Sequence, residues 1–137
     1  MIEPVDPKYL YRIRDWFLEG LSKITDKLHD DWHPADVYAE VRAGQSHLYT
    51  VNARGERIGF VVLQLWPVYH AGPRLFIRAL WCEPGKLAPH QQDFMESLED
   101  LARKHGAVAI RHLSPRRWDG SGFKLKQYVF EREVSHG

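Results

Sequence analysis

Between Tyr9 and Leu28 the large apolar side chains fall at Leu10, Ile13, Trp16, Phe17, Leu21, Ile24 and Leu28. Intervals of three and four residues align on one stripe of a helix, so this stretch predicts an amphipathic helix. A second, short helix is expected in HPADVYAEVRAGQ. Pro34 suits its first turn, where an N–H would have no helical acceptor, and Gly44 suits its end after Val37 and Val41.

The period then changes. SHLYTVN, ERIGFVVLQLWPVYH and PRLFIRALWCE are rich in β-branched and aromatic residues, with ARGE and HAGP between them as turn chemistry. Three strands joined by two hairpins are expected. In the middle one, Phe60, Val62, Gln64 and Trp66 alternate with Val61, Leu63 and Leu65, which places the strand inside a sheet covered on both faces. Residues 90–105 return to helical spacing, with Phe94, Met95, Leu98, Leu101 and Ala102 on one side and Gly106 suited to the left-handed end. AVAIRHL reads as a short strand, SPRRWDGSG as a turn or frayed helical segment, and KQYVFEREV as a final strand.

The order is therefore α, α, β, β, β, α, β, an irregular segment, β. The strand, helix and strand from Arg74 to Leu113 form a crossover unit, whereas the hairpins make the rest of the sheet antiparallel. The fold class is α/β (α+β), with a mixed, mostly antiparallel central sheet and helices on both faces. A chain of 137 residues with neither repeat nor linker fits one domain, residues 1–137.

Charge narrows the partners. With 19 Lys plus Arg against 18 Asp plus Glu there is no global field to draw nucleic acid, which is not expected as a partner. Arg103, Lys104, Arg111, Arg116 and Arg117 concentrate positive charge towards the C-terminal third, but interleaving with Asp119 and Glu131 favours a solvated surface. The single cysteine, Cys82, has no intrachain partner, so a reducing compartment and a cytoplasmic location are expected. MIEPVDPKYLYRIRDWF lacks the basic-then-apolar layout of a signal peptide, and the apolar-rich run 58–71 falls short of the ~20 residues that span a bilayer.

Candidate chemistry is sparse. HDDWH spaces His29 and His33 as a helical metal pair would, yet Pro34 biases His33 away from helical geometry, so no metal site is expected. No nucleophile elbow is present, and Cys82 reads as a small buried hydrophobe. Of five tryptophans, Trp16, Trp66 and Trp81 fall on apolar stripes, while Trp32 and Trp118 sit in polar loops where an aromatic often anchors a protein contact. A protein partner or a homo-oligomer is expected through them.

ERIGFVVLQL as a central strand, LFIRALWCEPG running into a long helix, and GSGFKLKQYVFEREV as a closing strand together resemble the GNAT family of N-acetyltransferases, from about Tyr9 to Val134. The resemblance implies acetyl-CoA held where two parallel strands splay, here RALWCE and AVAIRHL, with backbone groups near Leu80, Trp81 and Cys82 pairing with the pantetheine arm. It implies Glu83 as a general base. It also implies a diphosphate loop about five residues after Pro84, but the window reads GKLAPHQQ. The glycines that let amides cradle phosphate are missing and Pro89 removes a donor, leaving Gly85, Lys86, Ala88 and His90 to do the work. The tyrosine that the family places five residues before the closing phenylalanine, Phe123, is replaced by Trp118, whose indole does not give up its proton near neutral pH. Tyr128 is the stand-in.

These departures, and the bare WCEPG junction, also look like small GNAT-like proteins among bacteriophage structural and ejection components. The leading expectation is accordingly a non-catalytic structural or interaction protein of such a particle, virion-associated and without cofactor. The alternative is an acetyl-CoA-dependent N-acetyltransferase acting on an amine of a small molecule or protein.

Overall fold

The structure, a computed structural model, describes residues 1–28, 32–66, 70 and 72–112. The closing strand expected over 126–134 lies outside the described residues, as do Trp118 and Tyr128.

The chain opens with β1 (Ile2–Pro4) and a 3-10 helix (Pro7–Ile13), followed by α1 (Arg14–Leu28) and α2 (Pro34–Arg42). Next come β2 (His47–Ala53), β3 (Glu56–Trp66), β4 (Arg74–Cys82), α3 (Gln91–Lys104) and β5 (Ala109–His112), with a 3-10 turn (Ala88–His90) leading into α3. The strands lie in the order β1-β2-β3-β4-β5, antiparallel except for the β4–β5 pair. This is the mixed, mostly antiparallel sheet expected from the sequence.

Two local features differ from expectation. β1 carries no legible alternation, being three residues long and ending in Pro4; it pairs with Val51, Thr50 and Tyr49 at the sheet edge, where a proline's missing donor is tolerated. The first helical stripe begins as a 3-10 turn. Asp6 accepts from the Lys8 N–H at 3.1 Å and its carbonyl accepts from Tyr9 at 2.9 Å, so three-residue bonding precedes the α-helix.

β3 is the middle strand and is covered on both faces, as its alternation requires. Val61 and Leu63 pack with Phe94, Met95 and Leu98 of α3, whereas Phe60 and Val62 pack with Phe17 and Leu21 of α1 and Val37 and Val41 of α2. A fully buried Phe or Leu contributes about 1.5–3 kcal/mol, so these two clusters hold the layers together. The β2–β3 register shifts between Val51 and Asn52, which leaves Ile58 as an extra residue and brings it to the α3 side beside Val61.

Gly20 lets α1 approach the sheet closely. A side-chain carbon there would strike the Phe60 ring and lie 2.9 Å from the Trp81 indole. Phe17 and Trp16 meet Phe60 edge-on, with centroids at 4.9 and 5.5 Å. Gly20→Val is therefore expected to destabilise the protein by about 1–3 kcal/mol through overpacking, seen in urea denaturation as a lowered midpoint. An unchanged midpoint would mean that α1 does not rest on Phe60.

Candidate functional site

β4 and β5 pair over four rungs, from Arg74–Ala109 to Ile77–His112. Beyond the last rung the β3–β4 register shifts between Val62 and Leu63, leaving Arg78 as an extra residue. From Arg78 to Cys82 the strand keeps β3 on one side and has no strand on the other among the described residues. The N–H of Glu83 donates to the Ile58 carbonyl at 2.8 Å. Backbone groups alternate along a strand, so Trp81 also faces β3 while Leu80 and Cys82 turn their N–H and C=O groups to the open side. An extended chain with amide groups can pair there.

The loop after β4 shows where its amides go. Lys86 donates its N–H to the Glu83 carbonyl, His90 to Leu87 and Gln91 to Ala88, while Pro89 has no N–H to offer. These three donors serve the loop's own turns and are not available to a phosphate. Gly85 takes the left-handed conformation at φ 76°, and Ala88 and His90 lie in the 3-10 turn. Charge replaces geometry: Lys86 Nζ lies 2.8 Å from Glu56 Oε1 and 2.8 Å from Glu83 Oε2. Those two carboxylates raise the Lys86 pKa, so it is a cation throughout the physiological range. Burial, with the neighbouring Glu83 charge, pushes the Cys82 thiol up to about 12, so it stays protonated and does not act as a nucleophile.

Between α1 and the end of β4 lies a recess of ≈ 390 Å³, lined by Trp16, Glu19, Lys23, Trp81, Glu83 and Pro84 around Gly20. Lys23 Nζ stands 5.2 Å from the Trp81 ring and the Arg57 guanidinium 4.0 Å from Trp16, so both indoles present faces to cations. The sequence reading put Trp16 and Trp81 in the core; both are only partly buried. Glu19 and Lys23 were missed, although their i, i+3 and i+7 spacing from Trp16 puts them on its helical face.

At the point where the strands part, Arg78 makes a bidentate contact with Glu40 of α2, at 3.1 Å through Nε and through Nη2. Glu40 also accepts from Ser46 at 3.0 Å and from Gln64 at 3.2 Å. This network ties the bulge to α2 and β3. Trp32 packs against the chain's own core on this side, with Arg78 5.2 Å above its ring. His33 is the residue before α2, with φ −99° and ψ 152°, and its N–H donates to Asp36. Its partner in the sequence pair, His29, lies outside the described residues, and among those residues no cluster of three metal-ligating side chains occurs. No described helix is long and apolar enough to cross a membrane.

No family model and no curated protein matches the chain. Solved structures do, along its whole length. A GNAT family acetyltransferase from Staphylococcus aureus aligns with a TM-score of 0.65 at 11% identity, covering 98% of each chain. A ribosomal-protein-alanine N-acetyltransferase from Brucella melitensis gives 0.64 at 12%, covering 97% of this chain and 99% of that one. A predicted acetyltransferase with acetyl-CoA from Clostridium acetobutylicum gives 0.64 at 11%, covering 97% and 95%. At such identities the likeness shows the fold, and the fold is that of the GNAT acetyltransferases. The expectation of a non-catalytic phage particle component is overturned by these neighbours, which carry the names of acetyltransferases. The missing glycines and the Trp118 substitution are changes in side chains and loop, and they leave the fold as it is.

Two outcomes follow from the site's electrostatics. Glu40→Ala leaves a largely buried guanidinium without its partner and should cost about 1–3 kcal/mol in urea denaturation, part of which Arg78→Leu in the same chain restores. Burial lowers the His112 pKa from 6.5 to about 4. The unfolded chain then takes up a proton before the folded one, so stability is lost as pH falls from about 6.5 to about 4. His112→Gln should flatten the fall in melting temperature over that window.

Proposed function

We propose that this chain is an acetyl-CoA-dependent N-acetyltransferase acting on an amine of a small molecule or protein. The observation that carries the reading is the edge of β4 from Leu80 to Cys82, where Leu80 and Cys82 turn backbone groups away from β3 and pair with no other strand among the described residues. A pantetheine arm is an extended chain with two amides and fits such an edge. The acetyltransferase neighbours, one of them with acetyl-CoA, support it.

When bound, acetyl-CoA supplies the acetyl group as a thioester. The backbone of Leu80 and Cys82 would hold the arm, and Lys86 and His90 would meet the diphosphate by charge in place of amides. Glu83, bound to Lys86, would hold the lysine at this loop. His112 stands on the last described β4–β5 rung, and burial keeps its imidazole neutral. Cys82 stays a thiol and does not compete for the acetyl group.

Acetyl-CoA at one hundred times its dissociation constant should stabilise the folded chain by ~2.7 kcal/mol, seen as a rise in melting temperature. Leu80→Pro removes the N–H that faces the open side and spares the β3 ladder, so it should abolish that rise and the amine-dependent release of coenzyme thiol. The reading fails if acetyl-CoA leaves the wild-type melting temperature unchanged.

A further inference from the structure

Lys86 joins two distant points of the chain. Glu56 begins β3 and Glu83 follows β4, and the ammonium bridges both at 2.8 Å. One cation between two anions leaves the cluster one charge negative at the start of α3, on the loop where the coenzyme reading puts a diphosphate. A diphosphate arriving there meets repulsion from Glu56 and Glu83, and the lysine it needs is already engaged. The backbone offers less than a glycine-rich turn would, because Lys86, His90 and Gln91 spend their N–H groups on the loop and Pro89 has none.

We propose that Glu56 and Glu83 store Lys86 in the free protein and yield it to the coenzyme's diphosphate, so that the two carboxylates hold coenzyme affinity below what the loop would otherwise give. This rests on the acetyl-CoA reading and deepens it. The exchange is mechanically open: the Lys86 side chain is 41% exposed, and a flexible four-carbon stem lets the ammonium change partners without backbone movement. Exposed ion pairs are weak, so exchanging one for a diphosphate contact shifts affinity by a modest factor and does not block binding. Glu56 touches no part of the strand edge, so its effect acts only through charge at the loop.

Titration calorimetry of the full chain with coenzyme A and, separately, with pantetheine tests this. Glu56→Gln should tighten coenzyme A about two- to fivefold, the range an exposed pair allows, and leave pantetheine, which has no diphosphate, unchanged. Lys86→Met should weaken coenzyme A and spare pantetheine. In the Lys86→Met background the gain from Glu56→Gln should shrink, since no lysine remains to be released. Circular dichroism melts of each variant confirm that these exposed substitutions leave the fold intact. Weaker or unchanged coenzyme A binding in Glu56→Gln overturns the proposal, and so does an equal gain with and without Lys86, which would mean simple repulsion. If neither coenzyme A nor pantetheine binds the wild type, the acetyl-CoA reading itself falls.

Discussion

A strand residue can direct its backbone groups to one neighbour only, and on β4 that constraint organises the protein. β3 takes the groups of Trp81 and Glu83, and the parallel partner β5 is described as far as the rung of His112. What remains, on Leu80 and Cys82, is unsatisfied by any described strand. Backbone polar groups left without partners are costly inside a protein, so groups on such an edge call for a partner that can pair with them. The bulge at Arg78 stands where pairing with β5 ends, and the Glu40 ion pair anchors it to α2.

The loop beyond the edge applies a different balance. A glycine-rich turn presents amides that are fixed in place and need no charge; this loop bonds the amides of Lys86, His90 and Gln91 within itself and carries a lysine. A lysine is less demanding of backbone shape, which is why Pro89 is tolerated, but it must be kept solvated or paired in the free protein. Glu56 and Glu83 do that pairing. Glu83, at the end of the strand, is therefore engaged with the lysine beside it.

The recess beside Trp81 follows from the packing of α1. Gly20 lets the helix approach, Trp16 and Trp81 meet with centroids 6.1 Å apart, and Glu19 and Lys23 rim the opening. Aromatic residues on an amphipathic stripe read as core because burial is their commonest fate. Here Trp16 and Trp81 are only partly buried, and they become a wall of the recess.

Much was determined by the sequence alone. The three- and four-residue spacing from Leu10 to Ile24, the alternation along β3 and the isolation of Cys82 are local properties, and each reappears in the fold. Tertiary structure decided the rest, because it depends on register. A shift of one residue between strands exchanges which backbone groups and side chains face which way, and register is set by ladders between segments far apart in the chain. That is why the bulges at Ile58 and Arg78, the outward turn of Leu80 and Cys82, and the meeting of Lys86 with a glutamate 30 residues away could be read only from the folded molecule.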